Sequence, residues 1–188
     1  MFWAVFKKCS ESSEAFIYLV VFEACCALTM GAMMLMQPKL VNSPDVHLGY
    51  TPERLHEIFR DFGQDGRRAY IYLELFDFFP YMFGYTFLLG TILYKLIPNI
   101  AGNGKGKSIS QWTPCLAILV WISDVVENCC QLYLVWKWTG EDCCSRQFSD
   151  LARMGSSANT AKWAVFAICF VIIAIGYVSP SPQKVKTK

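Results

Sequence analysis

Charge is what this chain has least of: Asp, Glu, Lys and Arg together make up 17% of 188 residues. A soluble domain carries roughly 25%, so too little charge is present to solvate a globule of this length. The formal net charge of +2 lacks the basic excess of a nucleic-acid binder, and no nucleic-acid partner is expected. No Cys-x-x-Cys occurs, which removes the usual zinc and thiol-redox spacings. The nine cysteines do not form a disulfide scaffold either. Cys25, Cys26, Cys115, Cys129, Cys130 and Cys169 lie in apolar runs, where cysteine acts as a small hydrophobe. Cys143-Cys144 lie in a loop and read as free thiols, because a bridge between neighbours is strained. The two histidines, His47 and His56, fall outside the apolar runs. That excludes haem ligation, a di-iron carboxylate–histidine site and a Ser-His-Asp set within them. No cofactor and no metal site is expected. No Asn-x-Ser/Thr sequon is present.

What the chain does have is long apolar runs. A helix needs roughly 20 mostly apolar residues to cross a bilayer. Four stretches qualify: about Ala15 to Met36, Ala69 to Ile97, Thr113 to Trp136 and Ala161 to Val178. Gln37-Pro38, Pro98-Asn99 and Ser179-Pro180 end the first, second and fourth, and Pro114 suits the first turn of the third. The expected fold is an all-α membrane protein, a four-transmembrane-helix bundle forming one domain over residues 1–188 with a basic tail at 179–188. The first run follows Lys7 and Lys8 as a signal peptide would, but it is longer than a signal core and contains Glu23, so it reads as a retained span. Between spans one and two, Thr51 suits a helix N-cap, Pro52 the first helical position and Gly63 a stop. Leu55, Ile58, Phe59 and Phe62 fall on one face, giving a short amphipathic interfacial helix.

Four spans place both termini and the middle loop on one side. Lys and Arg counts are nearly equal on the two sides, so the positive-inside rule orients the chain only weakly; the middle loop (Lys95, Lys105, Lys107) and the tail (Lys184, Lys186, Lys188) are basic and acid-free, and cytosolic termini are expected on that asymmetry. Lysines third and fifth from the end, Lys186 and Lys184, match a dilysine retrieval signal. In a eukaryote this gives an endoplasmic-reticulum address; an ordinary basic tail against anionic lipid has the same composition. The Gly-rich segment Ala101-Gly-Asn-Gly-Lys-Gly-Lys-Ser108 fits a relaxed phosphate-loop pattern, but it joins two spans rather than a strand and a helix, and reads as a linker.

Polar residues inside the spans carry the functional content, since intramembrane charge is costly and turns toward a bundle interior or a wet cavity. Span one holds Glu23. Span two holds Tyr70, Glu74, Asp77, Tyr81 and Tyr85, at spacings that draw one helical stripe. Span three holds Asp124, Glu127, Asn128 and Gln131, and span four opens with Asn159, Lys162 and Trp163. Counting helical rise from the common membrane face puts Lys162 at the edge, Glu74 and Asp77 roughly 8 and 12 Å deep, Asn128 and Glu127 roughly 14 to 15 Å, and Glu23 and Asp124 roughly 20 Å. On that ladder Tyr70, Glu74 and Asp77 face Lys162, Asp77 faces Asn128, and Glu23 faces Asp124. Five isolated carboxylates beside one ammonium cannot all stay ionised in a dry bundle: some are protonated, a cation is shared, or water enters. Pro80 is expected to kink span two and free a carbonyl near Phe76-Asp77 as an extra oxygen ligand.

Arg68-Ala-Tyr70, Asp77-Phe-Phe-Pro80, Asp124-Val-Val-Glu127-Asn128 and Lys162-Trp163 together resemble an uncharacterised family of small four-span membrane proteins, found mainly in bacteria. The likeness covers spans two to four and implies membrane location and a site built from these residues, with no known activity. Three function classes follow from the polar interior. A non-catalytic scaffold or assembly factor, in which the network is interhelical glue, is slightly favoured. The others are cation- or proton-coupled transport and a membrane-embedded enzyme acting on a lipid-like substrate. The bilayer is the expected partner and a cation or lipid-like molecule the expected ligand; the sequence is silent on oligomeric state.

Overall fold

A computed structural model describes residues 2–101, 111–140 and 145–179. Among them the chain is helical and contains no strand. The order is α1 (Phe2–Glu11), α2 (Ser13–Met36), two single 3₁₀ turns (Pro38–Asn42 and Pro44–Val46), α3 (Pro52–Phe76), a wide turn (Asp77–Tyr81), α4 (Met82–Ala101), α5 (Cys115–Lys137) and α6 (Arg146–Val178). Four helical segments are long and apolar enough to cross a membrane: Ser13–Met36, Pro52–Ile97 taken through its interruption, Cys115–Lys137 and Arg146–Val178. The Gly-rich segment beyond Ala101, Cys143-Cys144 and the lysine tail lie outside the described residues.

The expected capping chemistry is present. The Thr51 side chain accepts from the Arg54 N–H at 3.2 Å, and Pro52 opens α3. Gly63 does not end the helix, but it breaks it: its φ of 67° and ψ of −175° belong to a region that only glycine occupies readily. The chain turns there from a surface piece, 52–62, into the start of the second span. The break strands carbonyls, and cations take them: Arg67 donates to the Phe59 carbonyl at 2.9 Å and Lys39 to that of Phe62 at 3.5 Å. The surface piece turns Leu55, Ile58, Phe59 and Phe62 into a core with Leu40, Tyr70, Leu134 and Phe148, closing one end of the bundle.

Two elements lie beyond what hydropathy marks. Helix α1 folds against α4, where Phe6 seats on Gly90 and Trp3 meets Tyr94 with ring centroids 5.2 Å apart. Helix α6 begins at Arg146, not near Ala161. Its first four turns contain Gly155, Ser156, Ser157, Asn159 and Thr160, poor helix formers on a polar stretch. Packing holds them: Phe148 and Ala152 enter the end core, and Gly155 lets Tyr50 and Cys130 approach. A second core, built from Met82, Leu89, Leu93, Ala117, Val120 and Cys169, occupies the other half of the bundle. Along α5 and α6 the polar residues lie between these two cores.

Candidate functional site

The α5 spacing 124, 127, 128 and 131 puts four polar side chains on one buried face, and neighbouring helices supply their partners. Lys162 of α6 is only 7% exposed, so it is not a surface anchor. Its Nζ lies 2.9 Å from Asp124 Oδ1 and 2.6 Å from Glu127 Oε2. The Tyr85 hydroxyl donates to Asp124 Oδ2 at 2.5 Å. On the far side, Gln131 Nε2 donates to Glu127 Oε1 at 2.7 Å and to the Tyr50 hydroxyl at 3.2 Å, while its Oε1 accepts from the Tyr70 hydroxyl. Tyr50 lies in the loop before α3; burial, and then the charge of Glu127, pushes its phenol up, so it stays protonated. Asn128 Nδ2 donates to Asp77 Oδ2 at 2.5 Å, the pairing expected from the helical ladder.

Other pairings differ from that ladder. Lys162 meets Asp124 and Glu127, with no direct ion pair or hydrogen bond to Tyr70, Glu74 or Asp77. Glu23 does not meet Asp124, whose two oxygens face Lys162 and Tyr85; it lies against Gly84, and its Oε2 is buried without a hydrogen-bond partner. The ladder assumed that each span begins where its apolar run begins. Helix α6 starts fifteen residues earlier and the second span is broken twice, so their axial offsets are not those of ideal rods. Of the two carbonyls near which a free oxygen was expected, that of Asp77 is occupied. The wide turn at 77–81 closes with the Met82 N–H on the Asp77 oxygen.

Two participants, Tyr50 and Asp45, came from outside the spans. Asp45 sits in a 3₁₀ turn of the loop after α2, and a stripe on α6 staples that loop in place. Ser156 Oγ accepts from the Tyr50 N–H at 2.8 Å, Asn159 Nδ2 donates to the His47 carbonyl at 2.7 Å, and Thr160 donates to that of Leu48 at 2.7 Å. Trp163 Nε1 reaches the Asp45 carbonyl at 3.4 Å. Held this way, Asp45 Oδ2 lies 3.2 Å from the Tyr70 hydroxyl. The available signal was the run Ser156, Asn159, Thr160, Trp163, which is one helical face of loop-binding groups.

A cavity of about 510 Å³ adjoins this cluster. Asp45, Glu74, Asp77, Tyr81, Tyr85, Asp124 and Lys162 line its polar side, and Met30, Met34, Leu73, Phe166 and Phe170 its apolar side. Its walls include residues of both α2 and α6, which share no extended contact. Val46, Trp163 and Phe170 on its rim are exposed. The cluster therefore has two halves. Glu127, Asn128, Gln131, Tyr50 and Tyr70 close on one another or on neighbours behind the wall, whereas Glu74, Asp77, Asp124 and Lys162 face the cavity. Among the described residues, no three His, Cys, Asp or Glu side chains are arranged to hold a metal ion. Neither family models, curated proteins nor solved structures give a match to this chain, so the likeness of its short motifs to other four-span proteins adds nothing to the geometry.

Proposed function

We propose that this chain is a four-span integral membrane protein whose bundle holds an amphiphilic, lipid-like molecule. The supporting observation is the cavity itself: about 510 Å³ of space lined by apolar side chains of α2 and α6 and by four carboxylates and Lys162. Ligand sites are typically clefts of roughly 300 to 1,000 Å³, mostly apolar with a few placed polar groups. A lipid tail suits the Met30, Met34, Phe166 and Phe170 side, and a polar head suits the Glu74, Asp77 and Asp124 side. Both termini are proposed to face the cytosol, and in a eukaryote the dilysine-like tail supports residence in the endoplasmic reticulum. The scaffold reading retains one observation in its favour, the closed Glu127–Gln131–Tyr50–Tyr70 chain, which ties α3, α5 and the first loop together. No reaction is assigned.

The test is occupancy. Native mass spectrometry of the protein in mild detergent should show a bound lipid. Met30→Trp, which places an indole in the cavity from the loosely packed α2, should weaken retention about tenfold, the equivalent of about 1.4 kcal/mol. An empty wild-type protein, or equal retention in the variant, would sink the reading.

A further inference from the structure

We propose that the head group this cavity takes is a cation: a protonated or quaternary amine carried on an apolar tail. The inference rests on the amphiphile reading above and specifies its polar end.

It starts from which oxygens at the cavity wall already have donors. Asp124 is satisfied on both sides, by Lys162 at 2.9 Å and Tyr85 at 2.5 Å. Asp77 Oδ2 takes the Asn128 amide at 2.5 Å. Glu74 is different: the residue is 1% exposed, lines the cavity, and its Oε2 is buried with no hydrogen-bond partner. Asp45 Oδ1, on the same cavity, is likewise buried and unpartnered. Two carboxylate oxygens on one wall thus have acceptor capacity and no donor. A buried carboxylate without a partner is costly and is relieved by taking up a proton or by a cation, and an ammonium head can supply either.

Lys162 does not fill that role, because its ammonium is already held between Asp124 and Glu127. Phosphate, sulfate and carboxylate heads would meet three further acids and no uncommitted cation among the described residues of the wall. An ammonium head donates to the free oxygens of Glu74 and Asp45 and is attracted by Asp77. The aromatic side chains beside them, Tyr81, Trp163 and Phe166, offer ring faces that suit a quaternary ammonium as well. The tail then lies along Met30, Met34 and Phe170.

The experiment uses the full chain in nonionic maltoside micelles mixed with one of three amphiphiles of equal tail, hexadecylamine, hexadecanol or hexadecyl sulfate, with butylamine as the short control. Thermal unfolding and displacement of the retained lipid are read together. Hexadecylamine should raise the midpoint most and displace best, hexadecanol less, and hexadecyl sulfate and butylamine not at all. Glu74→Gln and, separately, Asp45→Asn should cut the amine-over-alcohol preference about tenfold while alcohol binding persists. That persistence reports an intact cavity, and Asp45→Asn, in the loop, serves if Glu74→Gln does not accumulate. Equal binding of amine and alcohol overturns the cationic head and leaves the amphiphile reading standing. Failure of all three long-chain probes overturns both. Butylamine acting as well as hexadecylamine overturns the lipid-borne amine in favour of a free cation.

Discussion

Lys162 lies between Asp124 and Glu127 with both partners almost wholly buried, so its removal leaves two carboxylates without their counter-charge. Breaking a buried pair by deleting one member costs about 3 to 5 kcal/mol, whereas replacing all members with neutral groups of similar shape costs far less. Lys162→Met should therefore lower the unfolding midpoint strongly. The triple change Lys162→Met, Asp124→Asn, Glu127→Gln should recover much of that loss, as read by denaturant or thermal unfolding of the purified protein. If the single and triple variants lose equal stability, the charge account of this cluster fails. The pairing of Asp77 with Asn128 was readable from helical spacing, because their counted depths of roughly 12 and 14 to 15 Å are close. The partners of Lys162 were not readable, because its depth was counted from the start of an apolar run and not from the start of its helix.

At the scale of the element, the double break in the second span shapes the site. Gly63 breaks the chain between the 52–62 helix and the rest of α3, and the wide turn at 77–81 carries Asp77 on the wall of the cavity. Pro80 lacks the N–H that a regular helix would need there, and Phe79 is extended, with φ −157° and ψ 114°. Wide turns of this kind recur at functional positions in helices. Gly63→Ala should destabilise by about 1 to 3 kcal/mol through the backbone alone. Space is not the obstacle, since the nearest atom to an added Cβ is Lys39 Nζ at 3.8 Å. Gly31→Ala, in regular helix with nothing within 4 Å of the added carbon, is the control. It should be neutral or stabilising by up to about 1 kcal/mol. Unfolding midpoints of the two variants should move in opposite directions or, at the least, only that of Gly63→Ala should fall.

For the whole molecule, the polar layer sits between two apolar cores and adjoins the cavity. The four-span reading puts the junction of α1 and α2 and the start of α5 at one end of the bundle, and the loop carrying Val46 and His47 at the other. Single cysteines introduced at Lys8, Lys105 and His47, in a variant cleared of its native cysteines, should separate into two classes with a membrane-impermeant thiol reagent. Lys8 and Lys105 should label together from one side of sealed vesicles, and His47 only from the other. Labelling of Lys105 and His47 from the same side would reject the topology. The cavity lies toward the His47 side, because the loop that supplies Asp45 is stapled there by Asn159 and Thr160.

The sequence alone determined the helical class, the positions of the four long apolar segments within a few residues at most ends, the short amphipathic helix before Gly63, and the faces on which the acids lie. Those are local properties: hydropathy, capping and a period of 3.6 residues need no knowledge of neighbours. Only the tertiary structure decided which acid meets which partner, that Asp45 joins the wall from a loop, that residues 146–160 are helical, and that a cavity is left beside α2 and α6. Each depends on the axial offset and spacing of helices distant in sequence, and those are set by two breaks in one span and by a loop held through side chains of another.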